Sequence, residues 1–186
     1  SVLAIGFSGY ILKDNNYLKY APNYEHTIYH DELADHLSST FEMEDMSTVE
    51  RFYRWIAAVN LFKQHPMVGV GPNNFTANYK PYTVTSYETY ISDNEEKSTV
   101  HNYFLLLLTE QGIPALLLYI ILLVTIFLTA QRVYNISSEE NRKYIIAITL
   151  CIVSFLFNNT LSDLVEANKV GSLFFISLAL LINFNN

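Results

Sequence analysis

The stretch IPALLLYIILLVTIFLTA, residues 113–130, contains no charged side chain over 18 residues. A run of this length is near what an α-helix needs to cross a hydrocarbon core of ~30 Å, at a rise of ~1.5 Å per residue. Two further uncharged runs follow, YIIAITLCIVSFLFNNTL at 144–161 and the shorter VGSLFFISLALLINF at 170–184. The pattern predicts an all-α protein, a polytopic membrane helix bundle, with these three segments as spans or, for the third, a partial span.

The composition agrees with a membrane protein. Of 186 residues, 51% are hydrophobic and only 16% are charged, against about a quarter in average globular proteins. The net charge of −7 gives no electrostatic support for a nucleic-acid partner. Residues 1–12 resemble the end of an earlier span, so we expect the chain to be the C-terminal part of a longer protein.

The basic residues predict which side of the membrane each connection occupies. The 131–143 connection carries Arg132, Arg142 and Lys143 close to two span ends, which is typical of a cytoplasmic loop. The long 13–112 segment then lies on the opposite, extracytoplasmic side, as does the short 162–169 connection. The long segment has seven basic and fourteen acidic residues, which is compatible with that location because long loops translocate regardless of charge.

One helix stands out inside the 13–112 segment. STVE at 47–50 fits a capping box, and Pro66 marks the end of the helix. Its predicted apolar face recurs at helical spacing and comprises Phe52, Trp55, Ile56, Val59 and Phe62.

A turn and a second helix follow. The turn PMVGVGPNNF at 66–75 is punctuated by Gly69, Gly71 and Pro72. Residues 79–97 look irregular, and 100–111 predict a short amphipathic helix at the membrane interface. Gly112 and Pro114 are expected to separate that helix from the following span.

A candidate metal cluster lies in EHTIYHDELADH, residues 25–36. A helix would place His26 and His30 on one face with several carboxylates nearby. Thr27 occupies the position where a zincin has its general base, and a solvated acidic helix is the commoner meaning of such a run. We therefore predict no metal site.

The other candidates are cationic or can accept a proton. Arg51 and Arg54 offer donor forks suited to a lipid pyrophosphate, although a surface ion pair with Glu50 or Asp45 is the commoner meaning of such arginines. His101 can take a proton from a hydroxyl at neutral pH and Asn102 can orient the ring or a sugar, although a polar boundary residue is the simpler interpretation.

In order along the chain, these pieces resemble one family. RFYRWIAAVNLFKQHPMVGVGPNNF at 51–75 is similar to a pattern of Arg, a Trp four residues later, P-x-x-G-x-G and Phe. HNYFLLLLTEQG at 101–112 resembles H-[NSQ]-x9-G followed directly by a span. Together they resemble the C-terminal domain of the O-antigen ligase and O-antigen polymerase family, which are polytopic inner-membrane glycosyltransferases of bacteria. One departure is Ala115, where ligases often have a second Gly; this favours a polymerase or a related transferase.

The resemblance implies roles for individual residues. Arg51 would contact the donor pyrophosphate with Arg54 in support, His101 would be the catalytic base, and Asn102 would help to position the acceptor. The residues that would form the wall of the substrate site are Trp55, Pro66, Gly69, Gly71 and Phe75. Glu110 and Gly112 would fit the junction between the interfacial helix and the span.

The resemblance also implies partners and a location. The donor would be a glycan linked to undecaprenyl diphosphate, and the acceptor lipid A-core or a growing glycan, with no cofactor and no metal. The enzyme would lie in the bacterial inner membrane with its large loop in the periplasm. Ligase, polymerase and protein O-glycosyltransferase all fit these motifs. The alternative is a non-enzymatic polytopic membrane protein, part of a transporter or a sensor; the first two spans lack the ionisable residues that a transporter needs.

Overall fold

A computed structural model describes residues 46–84 and 99–184. These residues are helical and contain no β-strand. The predicted span end at 1–12, the His26 and His30 cluster and most of the irregular 79–97 segment lie outside the described residues. The α-helices are α1 (Met46–Gln64), α2 (Phe75–Asn78), α3 (Tyr103–Ile136), α4 (Glu139–Asn158) and α5 (Asn168–Asn183), with 3-10 turns at Lys80–Tyr82 and Leu164–Glu166.

Helix α1 buries a different face from the predicted one. Of the five residues predicted to form its apolar face, only Ile56 is fully buried, while Phe52 and Trp55 pack at the margin. The helix also includes Ser47, which was predicted to cap it. The small side chains of Ala57 and Ala58 allow α3 to approach closely, so the buried face is rotated toward them. The buried residues of this face are Val49, Tyr53, Ile56, Ala57, Ala58 and Leu61.

Helix α3 is broken at Gly112, as the Gly-x-Pro pattern predicts. Gly112 has φ 77° and ψ −173°, a backbone conformation that glycine adopts without steric cost. Pro114 has no N–H to donate to the carbonyl of Glu110, and the N–H of Ile113 bonds instead to the Pro66 carbonyl at 2.9 Å. Two α3 carbonyls are therefore left without their usual helical donors.

The turn between α1 and α2 fills that gap, and we call residues 65–74 the glycine turn. The N–H of Val70 donates to the Thr109 carbonyl at 3.0 Å, and the N–H of Gly71 donates to the Glu110 carbonyl at 2.8 Å. A Cβ on Gly69 would lie 2.3 Å from the carbonyl carbon of Glu110. The glycine turn thus docks on the α3 break backbone to backbone, which leaves no room for a side chain.

Of the helices in the described part of the chain, α3 alone is long and apolar enough to cross a membrane, judged by length and composition. Only 11% of its apolar window is buried, and Leu118 is 67% exposed, so α3 is not the core helix of a globular domain. The predicted span at 144–161 corresponds to α4, which ends at Asn158. Helix α5 is apolar but shorter than a full span. The polytopic arrangement therefore remains a prediction.

Both neighbouring helices extend into the predicted 131–143 connection. Helix α3 continues to Ile136 and α4 begins at Glu139, which leaves only Ser137 and Ser138 between them. The Nε of Arg142 donates to the Tyr134 carbonyl at 3.1 Å, and its guanidinium lies over the Tyr134 ring. These contacts tie the first turns of α4 to the end of α3.

The glycine turn provides a direct test of this packing. We expect Gly69→Ala to destabilise the protein by more than the roughly 1–2 kcal/mol that a left-handed backbone costs a residue with a Cβ, because the new methyl would also overlap the α3 backbone. Thermal unfolding in detergent measures the effect. Val68→Ala is the control, since Val68 is 78% exposed in the same turn. Equal melting temperatures for the two variants would contradict the docking described here.

Candidate functional site

The side chain of Glu110 organises the glycine turn. One carboxylate oxygen, Oε2, accepts a hydrogen bond from the N–H of Asn73 at 2.7 Å, and the other, Oε1, accepts one from the N–H of Phe75 at 2.9 Å. Glu110 is only 4% exposed. A carboxylate that accepts two backbone N–H groups in a buried place makes strong, charge-assisted bonds. Glu110 therefore fixes the turn and the start of α2 against α3.

His101 lies immediately before α3, in a constrained backbone conformation. Its φ is 55°, in the left-handed region that few non-glycine residues adopt. The next residue, Asn102, is the N-cap of α3, and its Oδ1 accepts a hydrogen bond from the N–H of Leu105 at 3.0 Å. The predicted helix start at residue 100 is therefore three residues early, because His101 and Asn102 are not helical.

The connection between α4 and α5, residues 159–167, packs against the same segment; we call it the α4–α5 loop. The N–H of Tyr103 donates to the Asn159 carbonyl at 2.9 Å, and Nδ2 of Asn102 donates to the Thr160 carbonyl at 3.0 Å. Nδ2 of Asn159 donates to the Tyr119 hydroxyl at 2.9 Å. These contacts hold the α4–α5 loop beside His101. The Asn102 side chain therefore has a structural role, because it caps α3 and binds the α4–α5 loop.

Charges of both signs surround His101. Burial lowers the pKa of His101, and nearby Arg54 and Arg51 lower it further, while Asp163 and Glu50 act in the opposite direction. The net effect is a pKa below the usual 6.5, so the imidazole is neutral at pH 7 and can accept a proton. The site thus combines a neutral base, two arginines from α1 and an aspartate from the α4–α5 loop.

Arg54 is buried and not a surface residue. It is 4% exposed, one of its terminal nitrogens lies 3.3 Å from Oε2 of Glu50, and its guanidinium lies 5.8 Å from the centre of the Tyr79 ring. The ion pair with Glu50 that the sequence offered as an alternative therefore exists, inside the protein. Arg51, one turn earlier on α1, is only partly buried and is the more accessible of the two arginines.

The other predicted site residues are packing residues of α1 and α2 or belong to the glycine turn. Phe75 is 1% exposed and stacks on Tyr79 with ring centroids 5.0 Å apart. Gly69 and Gly71 both have positive φ and contribute backbone alone to the glycine turn. Trp55 packs edge-to-face on Phe52 at 5.3 Å, and its indole N–H is buried. In this structure these residues pack or turn the chain, and their place in the wall of a substrate site stays a prediction.

Sequence reasoning gave Glu110 only a place at a junction and gave Asp163 no role. Glu110 has a detectable signal, since it is the one charged residue in the apolar stretch just before Gly112. Asp163 has a weaker one: the predicted topology places the 162–169 connection on the same side as the 13–112 segment. Among residues 46–84 and 99–184, no group of three or more metal-binding side chains is suited to hold a metal ion.

Replacing Glu110 tests its role in holding the glycine turn and the start of α2 against α3. Glu110→Gln keeps the shape but turns an amide NH2 toward one of the two backbone N–H groups, so we expect a loss of about 1–3 kcal/mol of unfolding free energy. Gln111→Ala, at the neighbouring and partly exposed position, is the control. Unfolding of the purified protein in detergent measures both variants, and a Glu110→Gln protein as stable as Gln111→Ala would refute this role.

No curated protein and no solved structure matches the chain. A sequence model of the family described as O-antigen ligase matches residues 1–120, which include α1, the glycine turn, His101 and the first half of α3. Since the match spans well over half of the sequence, the chain belongs to the O-antigen ligase family.

Proposed function

We propose that the protein is a membrane glycosyltransferase that moves a glycan from undecaprenyl diphosphate to a hydroxyl acceptor during assembly of O-antigen or another surface polysaccharide. The family makes it a glycosyltransferase-like enzyme of ligase or polymerase type. The observation that supports the finer proposal is that Arg51 and Arg54 lie near enough to His101 to affect its pKa. His101 lies just before the first residue of the apolar helix α3.

Arg51 is the proposed ligand of the donor pyrophosphate. It is the more accessible arginine, and it lies close enough to His101 to affect its pKa. The leaving group carries negative charge that grows as the glycosidic bond breaks, and a preorganised guanidinium stabilises that charge. Arg54 supports the same charge from behind while paired with Glu50. Two cations in this place fit a reaction that uses no metal.

His101 is the proposed base. Its neutral ring takes the proton of the acceptor hydroxyl, and the acceptor oxygen forms a bond to the anomeric carbon of the donor glycan. The bond from that carbon to the phosphate oxygen breaks, and its electron pair leaves with the diphosphate beside Arg51. Asn102 would place the acceptor while it caps α3. The acceptor would be lipid A-core for a ligase and a growing glycan for a polymerase.

The proposed setting is the inner membrane, with His101 on the periplasmic side. The family is generally found there, and α3 is apolar enough to cross it. The exposed apolar side chains of α3, α4 and α5 would then contact lipid, with α4 and α5 as further passes of a multi-pass protein. The interface is where a lipid diphosphate places its charged group, so it is also where this site needs to be.

Substitution of Arg51 and His101 tests these roles. In the full-length protein, Arg51→Ala and His101→Ala are each expected to lower transfer by at least about 100-fold, because each removes a group that acts in the transition state. Lys63→Ala is the matched control, since Lys63 is an exposed cation at the far end of α1. Arg54 is a poorer target because its loss strands Glu50 in a buried place.

The readout is the surface-glycan gel profile of a deletion strain complemented with each variant. A single repeat unit on the lipid core after deletion identifies a polymerase, whereas a bare core with polymer left on the lipid carrier identifies a ligase. Transfer at wild-type level by Arg51→Ala or His101→Ala would overturn the assigned roles, and an unchanged profile after deletion would favour the non-enzymatic alternative.

The pH dependence of transfer follows from the environment of His101. The base works only when neutral, and its pKa is lowered by burial and by the two arginines. Transfer by the wild-type protein is therefore expected to stay constant around pH 7 and to fall only as the pH drops through a value below 6.5. The measurement is kcat/KM against pH, which reports the free enzyme. An acid limb above pH 6.5 would contradict a depressed pKa.

A further inference from the structure

We propose that Met67 and Val68, which we call the turn tip, insert into the lipid bilayer beside the start of the apolar part of α3. The partner is the boundary between lipid headgroups and acyl chains. This inference goes beyond the proposed function, because it concerns where the outer segment rests and not the reaction at His101. It requires only that α3 crosses a membrane.

The first support is the exposure of two large apolar side chains at adjacent positions. Met67 is 61% exposed and Val68 is 78% exposed. Single exposed apolar residues are common on proteins, whereas a contiguous apolar surface marks contact with a partner or a membrane. The first exposed apolar residues of α3 after its break are Ile113 and Leu117, so an apolar surface is available for the turn tip to extend.

The second support is the position of the turn tip against α3. The N–H of Ile113 donates to the Pro66 carbonyl at 2.9 Å. A Cβ on Gly112 would lie 2.4 Å from the carbonyl oxygen of Met67 and 2.8 Å from the nitrogen of Val68. The backbone of the turn tip therefore contacts α3 at the residues where its uncharged run begins, and the two apolar surfaces are neighbours.

The length of that run places the membrane surface at the same level. Residues 113–130 are 18 uncharged residues, and Arg132 follows them. At ~1.5 Å per residue they extend over ~27 Å, slightly less than the ~30 Å of a hydrocarbon core. A helix that keeps Arg132 at one surface of the membrane therefore has Ile113 at or within the opposite edge of the core, next to the turn tip.

The glycine turn is also suited to leave water at low cost. Residues 66–79 carry no charged side chain. The N–H groups of Gly69, Val70 and Gly71 donate to backbone carbonyls at 2.8–3.0 Å, and Pro66 has no N–H to satisfy. Non-helical backbone at membrane depth is tolerated where its polar groups are bonded within the protein. The turn meets this condition at these positions, and a shallow insertion leaves its remaining polar groups within reach of the headgroups.

Insertion of the turn tip would set the height of α1 relative to the membrane. Helix α1 ends at Gln64, directly before the glycine turn. It would thus be attached to α3 through the backbone of the turn and to lipid through the side chains of the turn tip. Arg51 on α1 would then stay at a constant distance from the surface where a lipid diphosphate places its charged group.

The test measures the depth of the turn tip by fluorescence quenching. Val68→Cys is made in the full-length protein with Cys151 and every other cysteine replaced by serine, labelled with an environment-sensitive fluorophore and reconstituted into vesicles of phosphatidylethanolamine and phosphatidylglycerol. A lipid nitroxide near the top of the acyl chain is expected to remove at least about half of the emission, because interfacial apolar side chains lie about 5–10 Å into the boundary between headgroups and acyl chains. Iodide in the water is expected to have little effect, and Met67→Cys is expected to behave alike.

Two further labelled positions calibrate the measurement. Leu118→Cys, at a position that is 67% exposed on α3, is expected to respond to the lipid nitroxide alone. Lys80→Cys, at an exposed and charged position of the outer segment, is expected to respond to iodide alone. If Leu118→Cys is not quenched by the lipid nitroxide, the membrane span fails and this inference fails with it.

The remaining outcomes decide the inference directly. A Val68→Cys label quenched by iodide to the same extent as Lys80→Cys would place the turn tip in water and refute it. A Val68→Cys label shielded from both quenchers would show that another part of the protein covers the turn tip, which also refutes it. The measurement does not depend on transfer, so retained transfer in His101→Ala would overturn the proposed function and leave this inference standing.

Discussion

The break in α3 at Gly112 is the constraint on which the outer part of the molecule depends. A continuous helix would satisfy the carbonyls of Thr109 and Glu110 from within, and the glycine turn would then have nothing to bond to. Because the break leaves these carbonyls open, the turn supplies its own N–H groups, and the Glu110 side chain returns the contact from α3. One irregular residue therefore joins a helix suited to the membrane to the segment that carries the arginines.

The same junction determines the electrostatics. Helix α1 packs against the part of α3 that precedes the break at Gly112. This packing brings Arg51 and Arg54 near His101, which lies just before the first residue of α3. The α4–α5 loop closes the far side through Asn102 and Tyr103. Charges of both signs thus come from two separate parts of the chain, α1 and the α4–α5 loop, and the imidazole between them remains neutral. In this arrangement the proposed base, His101, is neutral in a place that already contains two cations.

Local chemistry made some of these features predictable from the sequence. The helical class, the span-length run at 113–130 and the break at Gly112 follow from apolar length and from backbone rules that need no tertiary information. The buried face of α1 did not follow, because Ala57 and Ala58 became core residues only through close contact with α3. Asp163 was missed because its meaning depends on a hydrogen-bonded loop far along the chain, and no local pattern encodes that proximity.

The glycine turn docks through main-chain atoms, and this has a consequence for how such a protein can evolve. Val70 and Gly71 bond through their N–H groups, so the contact does not depend on which side chains the turn carries at its outward positions. Met67 and Val68 point away from the protein. A lineage can therefore exchange these outward residues while the junction beneath them keeps the same geometry.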